Sequence, residues 1–533
     1  MHRSLADAVA TTLADAPEGL TVRDLLRALR AAGLERASRS AVERTLAEDG
    51  RFSPTGPVRD PKVRWVVEDG GAPVRRAIRD APPGRRAPAV DAARPLDGLD
   101  LRDWQVEAFA GWAAAGCRGV VEAVTGTGKT RLAVAAVRAA LAQGGRALVL
   151  VPTLDLLDQW RRELATQVPG ARLGQLGGGA ADDLHDHDVV VATPHSAAAV
   201  PVDLPAGAVG LLVADEAHRY GAPTWGAALR ETFAMRLALT ATYERNDDGL
   251  TEVLGPYFGG VVCQYGYDRA VPDGVVAPFR IALVGTALED AERAAYDTLD
   301  ADARRWRRDL LARGYPQHWQ RLFARVSETV ARAGGGHGDD AEVRACRAYL
   351  AAVRGRRDVA ANAAGKLAVC DTVGPVLART GARTLVFTDT VDQAELAARA
   401  LSAHGVAAEE VHGDLPGEKR RIRLAQFRNG NLQVVVAPRV LDEGVDVPEA
   451  DLALVLAAFR TRRQMVQRLG RVLRLKADGR DARLVLVHAT DTAEDPANGG
   501  HRDFLADVRP VAREVVRIDA DDEPDALPRW LST

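Results

Sequence analysis

A lysine and a threonine set behind spaced glycines, with two adjacent carboxylates further on, are the groups that can hold and split a polyphosphate. The stretch Ala123-Val-Thr-Gly-Thr-Gly-Lys-Thr130 supplies the first set. It follows the apolar run Gly119–Val124 and opens a helical pattern from Arg131 to Leu141, the context of a phosphate-binding loop. Thr125, Gly126, Thr127 and Gly128 would turn backbone N–H groups toward phosphate oxygens, and the new helix N-terminus adds a favourable dipole. Lys129 would reach the β- and γ-phosphates, and the Thr130 hydroxyl would ligate Mg²⁺. Ala123 stands where the general pattern has its first glycine. The second set is Asp215-Glu216, closing the apolar strand candidate Leu211–Ala214. Two side-by-side carboxylates repel each other, and a metal makes them tolerable. Asp215 would hold Mg²⁺, and Glu216 would orient and deprotonate the attacking water. Together the two sets imply hydrolysis of a nucleoside triphosphate.

Such groups need a scaffold that ends several strands at one edge. From Leu99 to about Phe279, strand candidates alternate with helical stretches: Val120–Val124, Ala147–Val151, Val189–Ala192, Leu211–Ala214 and Leu237–Leu239. The pattern restarts at Thr384–Phe387 and runs through Ala407–Val411, Val434–Ala437, Leu452–Leu456 and Arg483–Val487. Alternation of this kind predicts parallel sheets covered by helices, so the expected fold class is α/β with two tandem lobes. The expected domains are a winged-helix-like module at 1–68, a Pro/Ala/Arg/Gly-rich linker at 69–98 and lobe one at 99–284. A basic helical insert at 285–366, lobe two at 367–515 and a solvated acidic tail at 516–533 complete the chain. In the first module, three helical stretches (the third from Ala41 to Glu48) precede a strand at Val63–Val67. Its third helix would enter a DNA groove or, equally, dock a protein partner.

The ordered set over residues 99–490 resembles the superfamily 2 helicases with two RecA-like lobes, and among them the XPB-like and RadD-like branch of DNA-dependent ATPases. The resemblance implies ATP and Mg²⁺ as ligands and DNA, single-stranded or forked, as the track. Gln105, in Leu101-Arg-Asp-Trp-Gln105, would read the adenine edge. His218, Thr240 and Thr242 (in Leu237-Ala-Leu-Thr-Ala-Thr242), with Gln467, would couple the nucleotide site to the second lobe. Thr153, Thr193 and Thr388 would touch the nucleic-acid backbone, with Gln159-Trp160 and His412-Gly-Asp414 in neighbouring motifs. Arg245-Asn-Asp247 stands where XPB-like relatives carry Arg-Glu-Asp, so Arg245 is a DNA candidate while strand-separating power is in doubt. In Val440–Pro448, Glu443 and Gly444 would face the track, and Asp446 would touch the ribose or relay nucleotide state; Pro438 replaces the family's usual threonine. In Gln467-Arg-Leu-Gly-Arg-Val-Leu-Arg474, Arg471 and Arg474 lie three apart on one helical face and would act as arginine fingers.

Charge distribution agrees with a polyanionic track. The net charge is only −3, but residues 302–366 carry 14 Arg/Lys against 7 Asp/Glu, a local excess of basic groups. Arg304-Arg-Trp-Arg-Arg308, Trp319, Arg321, Phe323, Arg325 and Arg354-Gly-Arg-Arg357 interleave cations with aromatics, so charge neutralisation and base stacking are both available; aromatics at helical spacing also build cores. Four dispersed cysteines without a CxxC pair predict buried thiols rather than a metal site. The N-terminus lacks a signal-peptide plan and no run reaches the length of a membrane span, which predicts a cytoplasmic protein. The expected function is an ATP-dependent DNA helicase or translocase, with 3′→5′ polarity implied by the resemblance and a role in DNA repair. A motor subunit of a restriction or phage-defence complex, an RNA helicase and an inactive ATP-binding scaffold are the competing readings.

Overall fold

The computed structural model describes residues 98–533 apart from 246, 334–340, 439–449, 457–464, 467–469, 471, 474 and 477, together with 25, 28, 29, 42, 52–54 and 65–67. Residues 1–86 and 87–533 form two separate units. In the first, Leu25, Leu29 and Val42 are helical and buried. Strands β1 (Phe52–Pro54) and β2 (Trp65–Val67) pair antiparallel, with Ser53 opposite Val66. Most of the expected third helix and the whole of the expected linker up to residue 97 lie outside the described residues.

The larger unit holds two sheets. The first comprises β3 (Arg118–Ala123), β4 (Arg146–Leu150), β5 (Leu173–Gly177), β6 (Ala180–Ala181), β7 (Val189–Ala192), β8 (Gly210–Ala214), β9 (Met235–Thr240) and β10 (Val261–Tyr265). They run in the order β10-β3-β9-β8-β4-β7-β5-β6. Every pairing is parallel except the short β5–β6 edge. The second comprises β11 (Phe279–Thr286), β12 (Thr384–Thr388), β13 (Ala408–Glu410), β14 (Val434–Pro438), β15 (Leu452–Val455), β16 (Ala482–Ala489) and β17 (Glu514–Asp519). Its order is β13-β14-β12-β15-β16-β11-β17, all parallel. The central strands β8, β9, β12 and β14 are buried throughout. That explains their continuous apolar sequences, since a parallel sheet is covered on both faces. These are the two expected α/β lobes.

Two expected boundaries shift. Strand β11 lies between β16 and β17, so a lobe boundary at residue 284 would cut a strand of lobe two. The acidic C-terminus is not a solvated tail. Residues 514–519 form edge strand β17, and the helix Ala526–Ser532 buries Leu527, Trp530 and Leu531. Ile518 joins the same core, and the exposed acidic groups occupy the turn between these elements.

The insert is three helices, Asp290–Ala312, Trp319–Arg332 and Ala341–Ala361. They share a small core of Leu310, Tyr315, Leu322, Val326, Cys346 and Tyr349. Its base is fixed to lobe two. Arg293 donates to the Thr490 carbonyl at 2.7 Å, the Tyr296 hydroxyl accepts from Ala493 N–H at 2.7 Å, and Arg357 bonds both Asp389 oxygens at 3.0 and 3.1 Å. Trp306, Tyr315 and Tyr349 serve the insert core, whereas Trp319 and Phe323 are 60% and 40% exposed. All four cysteines are buried thiols outside any disulfide. No helix among the described residues is long and apolar enough to cross a membrane.

Candidate nucleotide and nucleic-acid site

Strand β3 delivers the chain to the phosphate loop at Ala123, and the helix Lys129–Ala142 leaves it. Gly126 and Gly128 adopt φ of 86° and 93°, the left-handed region that side chains resist. The loop is held from within. Thr127 donates to the Val124 carbonyl at 2.8 Å, and Lys129 Nζ donates to the Ala123 carbonyl at 2.8 Å. Arg102 Nη1 and Gln105 Nε2 donate to the carbonyls of Thr127 and Gly128, each at 2.8 Å. Gln105 Oε1 accepts from Arg102 N–H at 2.8 Å, so its amide braces the loop and is 1% exposed. The expected base-edge contact is thus not preformed. The adjacent Trp104 stacks on Tyr265 with centroids 4.6 Å apart.

Strand β8 runs between β4 and β9 and places Asp215 one residue beyond its end. Asp215 is fixed on both oxygens: Oδ2 accepts from Trp160 Nε1 at 3.0 Å and Oδ1 from Glu216 N–H at 3.0 Å. Burial raises the Asp215 carboxyl above its ordinary range, against the Trp160 hydrogen bond and the nearby Lys129 charge. Burial also pulls Lys129 below the usual lysine range, while Glu216 and Asp215 oppose it. The lysine and the two carboxylates are thus close enough to feel each other's charge, an attraction that a low-dielectric surrounding strengthens. Glu216 sits at φ 50°, a left-handed conformation that turns the chain abruptly after the strand.

The donor set suits a magnesium ion carried in on phosphates. Asp215 stands at the strand end, and Thr130 is the second residue of the loop helix. The described residues contain no group of three His, Cys, Asp or Glu able to cage a metal. Mg²⁺ is commonly held by one or two carboxylates plus substrate phosphates.

Three of the four coupling candidates, His218, Thr240 and Thr242, lie together. His218 Nδ1 lies 3.1 Å from Thr240 Oγ1 and 3.6 Å from Glu216 Oε2, and Thr240 Oγ1 donates to the Thr242 carbonyl at 2.7 Å. The lobes meet at the loop itself. Thr125 Oγ1 donates to the Val466 carbonyl of lobe two at 3.3 Å. A Cβ added to Gly470 would fall 2.2 Å from Thr125 Cβ. Gln467, Arg471, Arg474, Glu443, Gly444 and Asp446 lie outside the described residues.

The track candidates divide. Thr153 and Thr193 cap the helices after β4 and β7, accepting from Leu156 and Ser196 N–H. They stand after two neighbouring parallel strands. Thr388 is different. It is fully buried at the end of β12 and its hydroxyl donates to the Thr390 carbonyl at 3.1 Å, so it does not face a track. Thr390, two residues on, occupies the helix-capping position that Thr153 and Thr193 hold in lobe one: it caps Val391–Ala403 and accepts from Gln393 N–H at 3.2 Å. The signal was legible as Thr390-x-x-Gln393, a capping-box pattern. At the end of β5, a Cβ on Gly177 would fall 3.0 Å from Thr193 Oγ1, so the glycine leaves room for that cap. Arg245 is turned inward too. Its guanidinium holds Asp247 at 2.6 Å and bonds the His218 carbonyl, in space left by Gly221 and Gly249, where a Cβ would fall 2.6 and 2.9 Å from Arg245 Nε. This placement makes Arg245 a brace for the His218 turn rather than a preformed DNA contact.

Comparison with known proteins follows the same division into lobes. Residues 98–245 match the family described as type III restriction enzyme, res subunit, and residues 366–476 match the helicase conserved C-terminal domain. The DNA 3'-5' translocase XPB2 of Sulfurisphaera tokodaii is 31% identical over 410 residues, covering 75% of this chain and 83% of the relative. The DNA 3'-5' helicase XPB of Kineococcus radiotolerans is 28% identical over 480 residues, covering 88% and 71%. Its counterpart in Mycobacterium tuberculosis is 26% identical over 443 residues, covering 79% and 68%.

Proposed function

The chain belongs to the XPB-like branch of the superfamily 2 helicases and is an ATP-dependent nucleic-acid helicase, and from that premise we propose that it is a DNA-stimulated ATPase that moves 3′→5′ along DNA in repair. The observation that carries the reading is the meeting of lobe two with the phosphate loop at Thr125, Val466 and Gly470. A nucleotide held there is shared between lobes, so its hydrolysis changes how they sit.

In this reading Lys129 and the loop N–H groups bind the β- and γ-phosphates. Glu216 orients the water and takes its proton, with His218 beside it to relay the state of the site through Thr240 and Thr242. Thr130 and Asp215 would hold Mg²⁺, which supplies charge neutralisation on the phosphates. Arg471 and Arg474 complete the site from lobe two and stabilise developing charge. Thr153, Thr193 and Thr390 hold DNA phosphates at helix N-termini, contacts that carry no sequence information. Trp319 and Phe323, exposed on a basic insert fixed to lobe two, offer stacking surfaces that travel with that lobe.

Displacement of a third strand from a DNA triplex, with single-stranded gaps of defined polarity, tests the motor directly. Displacement that requires ATP and survives only when the 3′→5′ strand is continuous is the expected result. Displacement blocked only by gaps in the other strand would overturn the polarity.

A further inference from the structure

Resting on the DNA-stimulated ATPase just described, we propose that Trp160 is a positioning residue that ties the DNA-binding helix of lobe one to the magnesium-holding carboxylate. The indole N–H of Trp160 donates to Asp215 Oδ2 at 3.0 Å. The Asp215 N–H in turn donates to the Leu150 carbonyl at 3.0 Å. The segment from Leu150 to Trp160 therefore holds Asp215 at both its backbone and its side chain. That segment contains Thr153 and the start of the helix Leu154–Gln167.

The choice of acceptor is the informative part. A buried tryptophan needs some partner for its N–H, and a backbone carbonyl suffices. Trp112, in the same lobe and equally buried, donates to the Arg236 carbonyl at 3.0 Å. Trp160 instead spends its N–H on the one side chain that closes strand β8 beside Lys129. A hydrogen bond to an ionised acceptor is about twice as strong as a neutral one, and it fixes the carboxylate rotamer as well as its charge. The other oxygen, Oδ1, accepts from Glu216 N–H, so the water-orienting residue is held in the same frame.

Distance along the helix supplies the coupling. Trp160 follows Thr153 by seven residues, about two turns, so both lie on one side of a stiff rod roughly 10 Å apart along its axis. A phosphate seated at Thr153 displaces or steadies the helix as a unit, and the indole transmits that to Asp215. Track occupancy thereby reaches the metal site inside lobe one, before any contribution from lobe closure.

The test compares full-length Trp160→Phe with Trp112→Phe, since each loses one buried indole N–H from the same lobe. Binding of a fluorescent ADP analogue is titrated with Mg²⁺, and ATPase is measured with and without single-stranded DNA. Trp160→Phe should need roughly tenfold or more Mg²⁺ for half-saturation and lose a similar factor of DNA stimulation, the scale seen when an outer partner of a metal ligand is removed. Its DNA affinity should stay at the wild-type value. Trp112→Phe should match the wild type in both readouts. If Trp160→Phe fails to fold, benzothienylalanine at 160 keeps the bicyclic shape with sulfur in place of N–H and should give the same shifts. Wild-type Mg²⁺ dependence and stimulation in the folded 160 variant would overturn the proposal. A wild-type protein that DNA does not stimulate would instead overturn the functional reading beneath it.

Discussion

Gly470 of lobe two lies against Thr125 of the phosphate loop so closely that a Cβ on it would sit 2.2 Å from the threonine Cβ. The contact atom is near the backbone, so the loop or the lobe must give way. Gly470→Ala should part the lobes at the nucleotide and lower kcat/KM for ATP by roughly 10²-fold, the order expected for an ångström of misplacement. Steady-state ATPase on saturating DNA checks this; wild-type turnover would show that the contact is dispensable.

The charges of Glu216 and Asp215 act on the Lys129 ammonium. Lys129→Ala should remove phosphate binding, and Glu216→Gln should leave nucleotide binding intact while removing the base. Each should cost roughly 10²–10³-fold or more in DNA-stimulated turnover, as loss of a charge-stabilising group does. DNA binding by anisotropy should persist in both, which separates chemistry from folding.

Arg357 clasps Asp389 with 21% and 8% of the two side chains exposed. Arg357→Ala removes two hydrogen bonds from a buried carboxylate, at a cost of about 1–3 kcal/mol. The insert should then loosen from lobe two. Faster hydrogen exchange at the end of helix Ala341–Ala361 and a lower Tm are the expected signs, with reduced DNA stimulation if the insert carries DNA contacts.

Acid should weaken lobe two. Burial pushes the His501 imidazole down to about 4, and burial also holds His488 below its ordinary range. An unfolded histidine titrates near 6.5, so between these values the unfolded chain binds more protons and stability rises with pH. The contribution is whole above about 6.5 and is lost as pH falls toward 4. Thermal melts from pH 7.5 to 5 should show this slope. His501→Asn, which tolerates the φ of 55° at that position because asparagine enters the left-handed region readily, should flatten it.

The parallel lobes were legible, and so was the candidate ATP site, because both depend on local chemistry. Buried parallel strands read as apolar runs, Asp215 and Glu216 directly follow β8, and Lys129 opens the helix after the glycine loop that follows β3. Strand β11 escaped notice because its partners β16 and β17 begin about 200 residues later, a pairing no local pattern announces. Strand β17 was hidden by acidic residues on an edge that water reaches. Thr388 and Arg245 were misplaced for a related reason. Sequence marks a hydroxyl or a guanidinium but not the direction it faces. That direction was set by the packing of β12 between β14 and β15 and by two glycines that made room. Trp160 could not be tied to Asp215 from sequence, since the link crosses 55 residues.

The central claim is that this chain couples ATP hydrolysis to DNA. ATPase rates measured in parallel with no nucleic acid, single-stranded DNA, duplex DNA, forked DNA and RNA test it most directly. Stimulation on the order of tenfold or more by at least one DNA form, a barrier change of about 1.4 kcal/mol, with RNA well below it, is the predicted result. Equal rates with and without DNA, or stimulation by RNA alone, would contradict the account.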